Sequence, residues 1–148
     1  MDQDAINELR NSFMTIIPAE YRTLYSGTND LEFAVAMVHG HGWQSLQTFR
    51  ATYCKQTLGG TAVYGPGIYM TSNIAEARNY GTNILEFTFK PAADYLDLAD
   101  ASISKAAVKQ VGGGKQTILK EPKIDALIRV VGTYFVLRTP ALVSVHLQ

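Results

Sequence analysis

The segment from residue 64 to residue 80 places the strongest constraint on the fold of this chain. It reads Tyr-Gly-Pro-Gly-Ile-Tyr-Met-Thr-Ser-Asn-Ile-Ala-Glu-Ala-Arg-Asn-Tyr, so a glycine-rich turn leads into a short apolar strand that contains Tyr69. A helix then follows and ends at Tyr80. Two tyrosines on opposite sides of such a strand–helix corner can form a slot for a flat aromatic ring.

The helix inside this segment has its own start and stop signals. Ser72 or Asn73 can cap its N-terminus, and Glu76, three residues after Asn73, completes a capping-box pattern. Gly81 follows Tyr80 and closes the helix. These local signals predict a strand, a cap and a helix in direct succession.

A second informative segment lies upstream, where Leu24-Tyr25-Ser26-Gly27-Thr28-Asn29 reads as the end of a strand followed by a glycine. A glycine lets the backbone approach a ligand closely because it has no side chain. This segment is therefore a candidate for binding a ligand through main-chain groups.

The remaining pattern predicts an α+β fold with mostly antiparallel strands, because helical spacing dominates the first part of the chain and alternation dominates the last. We expect one domain over residues 1–148, with an N-terminal helix within residues 1–20 and a core over residues 23–148. Residues 43–58 are ambiguous, and Gly112-Gly113-Gly114 predicts a mobile loop. The predicted helices are 4–17, a segment capped by Asn29 or Asp30, and 104–111, and the predicted strands are 23–25, 83–90, 95–98, 124–131, 134–137 and 141–147.

Charge and cysteine content narrow the classes of partner. The 13 basic and 13 acidic residues balance, so no basic surface indicates nucleic acid or an anionic membrane. Cys54 is the single cysteine, which excludes a disulfide within the chain and a cysteine-based metal site. Neither a signal peptide nor a membrane-spanning segment is visible, which leaves a soluble protein in the cytoplasm or one delivered by a dedicated secretion or phage system.

Together these segments resemble the NAD-binding core of the ADP-ribosyltransferase superfamily, from about Thr23 to His146. The match is closest at Gly65-Pro66-Gly67-Ile68-Tyr69 and Ala77-Arg78-Asn79-Tyr80, and it extends to the strand that begins at Tyr134. The chain is most similar to the tyrosine-containing branch, which includes diphtheria-toxin-like and poly(ADP-ribose)-polymerase-like proteins and domains of phage polyvalent and bacterial effector proteins. The resemblance implies a split β-sandwich of two small, mostly antiparallel sheets with peripheral helices.

The resemblance also implies NAD as substrate and assigns roles to individual residues. Tyr69 and Tyr80 would sandwich the nicotinamide ring, and the backbone of Gly27 would hold its amide group. Ser26 stands where the family has a histidine that binds the adenosine ribose, and Thr133 stands at the position of the catalytic glutamate. Threonine carries no charge, so both polar positions of the family's site are altered.

Thr28 and Gly67 complete the NAD-binding residues that the resemblance implies. For a replacement acid, Glu86 is a poor candidate because it lies in mid-strand, whereas Glu121 and Asp125 lie nearer the last turn. We expect no metal, because the two histidines of His39-Gly40-His41-Gly42 have no acidic or cysteine partner at a useful spacing.

Two functions follow as hypotheses. The first is a NAD-dependent mono-ADP-ribosyltransferase or NAD glycohydrolase of toxin or effector type with a divergent active site. The second is a catalytically degenerate domain of the same fold that acts as a NAD-binding or protein-interaction module. The acceptor is an unknown macromolecule, with a protein preferred, although a nucleic acid base, a small molecule and water stay open.

Overall fold

Eight strands form one sheet in the order β1-β5-β6-β7-β3-β2-β4-β8 in the computed structural model, which describes residues 1–54 and 63–148. Every pairing is antiparallel except that of β5 with β6. The predicted α+β class and the mostly antiparallel pairing are therefore confirmed. The strands are β1 Thr15–Ile16, β2 Thr23–Thr28, β3 Ile68–Thr71, β4 Asn83–Phe89, β5 Asp94–Asp97, β6 Leu127–Val131, β7 Tyr134–Leu137 and β8 Leu142–Leu147.

The helices flank this sheet, and most of them begin at a polar side chain that accepts a hydrogen bond from the first turn. The α-helices are α1 Gln3–Phe13, α2 Leu31–Val38, α3 Leu46–Tyr53, α4 Ile74–Ala77, α5 Ala101–Val111 and α6 Lys115–Leu119. The side chains that cap them are those of Asp2, Asp30, Ser45, Asn73 and Asp100. None of the helices in the described parts of the chain has the length and apolar composition needed to cross a membrane.

The sheet consists of two halves that meet at one point. Strand β2 pairs with β4 over six residues but pairs with β3 only where Tyr25 faces Thr71. We expected two separate sheets, whereas the Tyr25–Thr71 pair joins β1-β5-β6-β7-β3 to β2-β4-β8 in one hydrogen-bonded sheet. The two strands diverge on one side of that pair, and this divergence opens the pocket described below.

The core is divided by the sheet into two clusters of buried side chains, because successive residues of a strand point to opposite faces. On β3, Ile68 and Met70 belong to one cluster, while Tyr69 packs against the other. Helices α2 and α3 contribute to the first cluster, and α1, α5 and α6 contribute to the second.

Several local predictions differ from the structure, among them the helix predicted over residues 104–111, which begins at Ala101. The first helix ends at Phe13 rather than at residue 17, because Thr15–Ile16 forms β1 against β5. Strand β2 continues through Thr28, since its pairing with β4 extends past the glycine. The predicted strand over residues 124–131 begins only at Leu127.

A further difference concerns the glycine run, which is a short connection between two helices rather than part of a longer loop. Gly112, at φ 75°, ends α5, and Gly114 precedes the first residue of α6. In the ambiguous segment, Leu46–Tyr53 is helical, whereas the expected break at Gly59-Gly60 lies outside the described residues.

Candidate functional site

A pocket opens where β2 and β3 separate. The Phe89 amide donates to the Arg22 carbonyl over 2.9 Å, so alternate residues along β2 bond to β4 while Tyr25 and Gly27 direct their N–H and C=O groups towards β3. Continuing the Tyr25–Thr71 register by two residues would place Gly27 opposite Tyr69, but the strands pair only at Tyr25. The main-chain groups of Gly27 are thus turned to the pocket side, where a ligand can use them.

The pocket has the size of a single aromatic ring. Its volume is about 170 Å³, and a cavity of roughly 150 Å³ accommodates benzene. Five of the eight tyrosines of the chain contribute to its wall. The lining residues are Tyr25, Ser26, Gly27, Tyr64, Tyr69, Met70, Thr71, Ala77, Tyr80, Tyr134 and Phe135.

Tyr69 is held in this wall by its hydroxyl group, which acts both as a hydrogen-bond donor and as an acceptor. The hydroxyl donates to the Gly65 carbonyl over 2.7 Å and accepts from the Tyr64 amide over 3.0 Å. Burial is the main cause that raises the pKa of the Tyr69 phenol, so it stays protonated at neutral pH. The ring of Tyr64 lies beside it with centroids 5.4 Å apart. The ring of Tyr69 is therefore preorganised against the pocket.

The glycine-rich turn before β3 is held by one buried arginine. Arg138 is fully buried and donates to the carbonyls of Pro66, Tyr64, Ile118, Leu119 and Glu121. Burial lowers the pKa of its guanidinium to about 10, so it remains charged at neutral pH. Through these bonds Arg138 ties the turn that positions Tyr69 to the C-terminal end of α6 and to Glu121 just after it.

The opposite wall of the pocket comes from α4 and the 3-10 turn that follows it, Arg78–Tyr80. Asn73 caps α4, as expected, by accepting from the Ala75 amide over 3.0 Å. The helix lies so close to β2 that a Cβ atom on Gly27 would stand 1.7 Å from the Ala77 carbonyl oxygen. The absence of a side chain at Gly27 therefore lets α4 close the pocket. Tyr80 lies at its edge and is 60% exposed.

The hydrogen-bond partners of Glu76 differ from those that a capping box predicts. Its carboxylate accepts from the hydroxyl of Thr133 over 2.7 Å and from that of Thr71 over 3.2 Å. A capping box would instead join Glu76 to the Asn73 amide, but that amide donates to the Thr71 hydroxyl. The carboxylate is thus held between the end of β3 and the β6–β7 turn.

Tyr134 links this carboxylate to the pocket wall. The pKa of its phenol is raised, first by its interaction with the Tyr80 side chain, then by desolvation and by Glu76. Tyr134 lines the pocket, and its ring centroid lies 6.4 Å from that of Tyr64. Glu76 is not itself among the lining residues, but its carboxylate accepts a hydrogen bond from Thr71, which does line the pocket.

Four of the seven predicted site residues meet in this pocket, namely Ser26, Gly27, Tyr69 and Tyr80. The other three lie outside its wall. Thr28 accepts from the Asp30 amide ahead of α2, and Gly67, at φ 127°, shapes the turn, where a Cβ atom would stand 2.4 Å from the Leu137 carbonyl. Thr133 contacts Glu76 rather than the pocket.

The acids considered from the sequence are all engaged elsewhere. Asp125 forms an ion pair with Arg50 at 2.6 Å, and Glu86 accepts from the Gln148 side chain. Glu121 lies 4.0 Å from the N-terminal amine. None of the three lines the pocket. The sequence contained one signal for the acid that does lie nearby, since Glu76 stands inside the best-matched segment.

The described parts of the chain contain no cluster of metal ligands, and their one cysteine thiol is not activated. Within residues 1–54 and 63–148, no group of three or more His, Cys, Asp or Glu side chains could hold a metal ion. The rings of His39 and His41 lie 6.0 Å apart beyond the end of α2. Burial raises the pKa of the Cys54 thiol, which makes it a poor nucleophile.

Comparisons with known proteins add no relative to this description. No protein-family model, curated protein or solved structure matches the chain significantly.

Proposed function

We propose that the chain is an ADP-ribosyltransferase-like domain that binds the nicotinamide end of NAD in this pocket. The observation that carries the proposal is the opening between β2 and β3, where the free main-chain groups of Gly27 face a wall built by Tyr69. A flat ring would stack on tyrosine, and a carboxamide could bond to one backbone N–H and C=O pair. The single bridge between the two half-sheets also supports the split β-sandwich that the resemblance implies.

The reaction proposed is cleavage of the bond between the nicotinamide nitrogen and the ribose carbon. The bonding electron pair goes to the ring nitrogen, neutral nicotinamide leaves, and an oxocarbenium-like ribose is captured by an acceptor oxygen or nitrogen that releases its proton to solvent. Such a reaction depends on positioning and on stabilising charge more than on covalent catalysis. The preorganised ring of Tyr69 would contribute to this positioning. The acceptor is a macromolecule, with a protein preferred, or water.

A second function is favoured by one observation. In the described residues, no acidic, basic or histidine side chain lines the pocket, and Thr133 stands where the family has its glutamate. Loss of one well-placed electrostatic group commonly lowers a rate by a factor of about 10²–10³. The alternative is therefore a NAD-binding or protein-interaction module without transferase activity.

Proton NMR of the protein with NAD, followed over hours, separates these functions. The transferase or glycohydrolase predicts free nicotinamide at a rate above that of a Tyr69→Ala control. A binding module predicts broadened NAD signals without nicotinamide. Sharp and unchanged NAD signals would contradict NAD binding in either form and leave only the protein-interaction module.

Replacing Tyr69 should weaken NAD binding through loss of the stacking surface. Tyr69→Ala removes both the ring and the hydroxyl bonds to Tyr64 and Gly65, so we expect affinity to fall by about tenfold or more. Tyr69→Phe keeps the ring and should lose less than Tyr69→Ala. Isothermal titration calorimetry with NAD measures both. Equal affinity of the folded Tyr69→Ala variant and the unmodified protein would exclude this pocket as the ring site.

A further inference from the structure

The charge of the pocket surroundings points to a preference among aromatic rings. Five tyrosines contribute to its wall, and the face of a tyrosine ring attracts cations through its negative π-electron density. In the described residues, no lysine or arginine lines it. A wall of this kind is suited to a flat ring that carries positive charge.

Glu76 adds a full negative charge to this environment. Its carboxylate accepts hydrogen bonds from Thr71, a lining residue, and from Thr133, and these two bonds fix its position relative to the pocket. It is partly buried, and its influence reaches the lining residue Tyr134, whose pKa it helps to raise. A partly desolvated carboxylate acts on a nearby cation more strongly than one in bulk water.

Two positive charges also lie in the surroundings of the pocket. Arg138 lies near the Tyr69 hydroxyl and lowers its pKa somewhat, but the guanidinium donates to backbone carbonyls and does not line the pocket. Arg78, the residue after Ala77, is exposed. An exposed charge is screened by solvent and salt. Arg138 thus reaches the wall through the backbone carbonyl of Tyr64, whereas Glu76 is bonded to the side chain of the lining residue Thr71.

We infer that the pocket selects a positively charged aromatic ring over a neutral one of the same shape, with the Glu76 carboxylate as counter-charge. Given the proposed function, on which this inference rests, the ligand is the oxidised nicotinamide nucleotide, whose ring is a pyridinium cation. The reduced nucleotide, whose ring is neutral and puckered, binds less well. When the ring leaves as neutral nicotinamide, its attraction to Glu76 is lost, which favours release of this product.

Two small probes test the inference without any catalytic turnover. These are 1-methylnicotinamide, which is a cation, and nicotinamide, which is neutral and nearly the same size. Titrations followed by protein NMR should give about fivefold tighter binding of the cation. In Glu76→Gln that ratio should fall to about one, while affinity for the neutral probe changes little.

Two further variants act as controls. Glu32→Gln changes the net charge identically on the exposed surface of α2, and should leave the ratio unchanged. In the double variant Glu76→Gln with Thr133→Glu, the two partners of the 2.7 Å contact exchange roles, so that residue 133 carries the carboxylate. This variant should restore the preference for the cationic probe. This rescue distinguishes a charge effect from a loss of folding.

The outcomes separate failure of the inference from failure of the proposed function. Equal binding of both probes by the unmodified protein, or a ratio that survives in folded Glu76→Gln, would overturn the charge selection and leave the ring site intact. No binding of either probe would overturn the ring site as well, and with it the inference.

Discussion

Replacing Arg138 by methionine should cost the protein a large part of its stability. Methionine fills much of the same volume but cannot donate, so the carbonyls of Pro66, Glu121 and Leu119 would stay buried without partners. Each unpaired buried carbonyl costs about 1–3 kcal/mol. We expect a loss of about 3–5 kcal/mol in the free energy of unfolding, against a total of about 5–15 kcal/mol for a domain of this kind.

Urea denaturation followed by circular dichroism measures this loss. The stability of Arg138→Lys should lie between those of Arg138→Met and the unmodified protein, because an ammonium group reaches fewer carbonyls than a planar guanidinium. Arg10→Met is a matched control, since Arg10 forms a surface ion pair with Asp94, and such pairs contribute about 0–1 kcal/mol. Equal unfolding midpoints for Arg138→Met and Arg10→Met would show that the buried arginine does not hold the turn before β3.

The second large effect is expected from a single methyl group on Gly27. The new Cβ atom would stand 1.7 Å from the Ala77 carbonyl oxygen, and β2 cannot retreat because it is paired with β4 along its whole length. Helix α4 must therefore move away from the sheet. We expect Gly27→Ala to destabilise the fold by about 1–3 kcal/mol and to abolish NAD binding, because Ala77 and Tyr80 would leave the pocket wall.

Amide NMR shifts of α4 and urea denaturation test this prediction together. Gly114→Ala is the control, because Gly114 has an ordinary φ of −99° and a Cβ atom there meets only the Gln116 amide, at 4.0 Å. That control should stay within about 1 kcal/mol of the unmodified protein. A Gly27→Ala protein with unshifted α4 resonances and undiminished NAD binding would show that the helix does not need the glycine.

The strand–turn–helix segment could be predicted from the sequence because its signals are local. Glycine and proline mark the turn, and Asn73 caps a helix within two residues of itself. The extension of β2 beyond Gly27 could not be predicted in the same way, since glycine interrupts the apolar pattern and the pairing with β4 restores it. Helix α6 was missed for a related reason, because a five-residue helix next to three glycines has no helical period to detect.

The site was harder to predict where its contacts cross the chain. Glu76 matched a capping box over three residues, but its carboxylate instead bonds to Thr133, 57 residues away. Arg138 directly follows the strand predicted over residues 134–137 and was assigned no role, yet it is buried against carbonyls of two distant segments. Long-range hydrogen bonds of this kind depend on how the sheet and helices assemble, so the local sequence pattern does not predict them.

The joining of the two half-sheets is a further example. Alternation predicted the strands individually, but whether they form one sheet or two depends on the Tyr25–Thr71 pair alone. That pair also decides where the strands diverge and hence where the pocket opens. The identity of the lining tyrosines Tyr64 and Tyr134 followed only from that assembly.

The most direct measurement of the central claim is a titration of the ¹⁵N-labelled protein with NAD, in which the backbone amide signals are followed individually. Our account predicts that the Gly27 amide shifts most, together with those of residues around Tyr69 and Tyr80, and that Gly27→Ala removes the response. Saturation at NAD concentrations that leave the Gly27 and Tyr69 amides unmoved, with shifts elsewhere, would place the ligand at another surface and contradict the account.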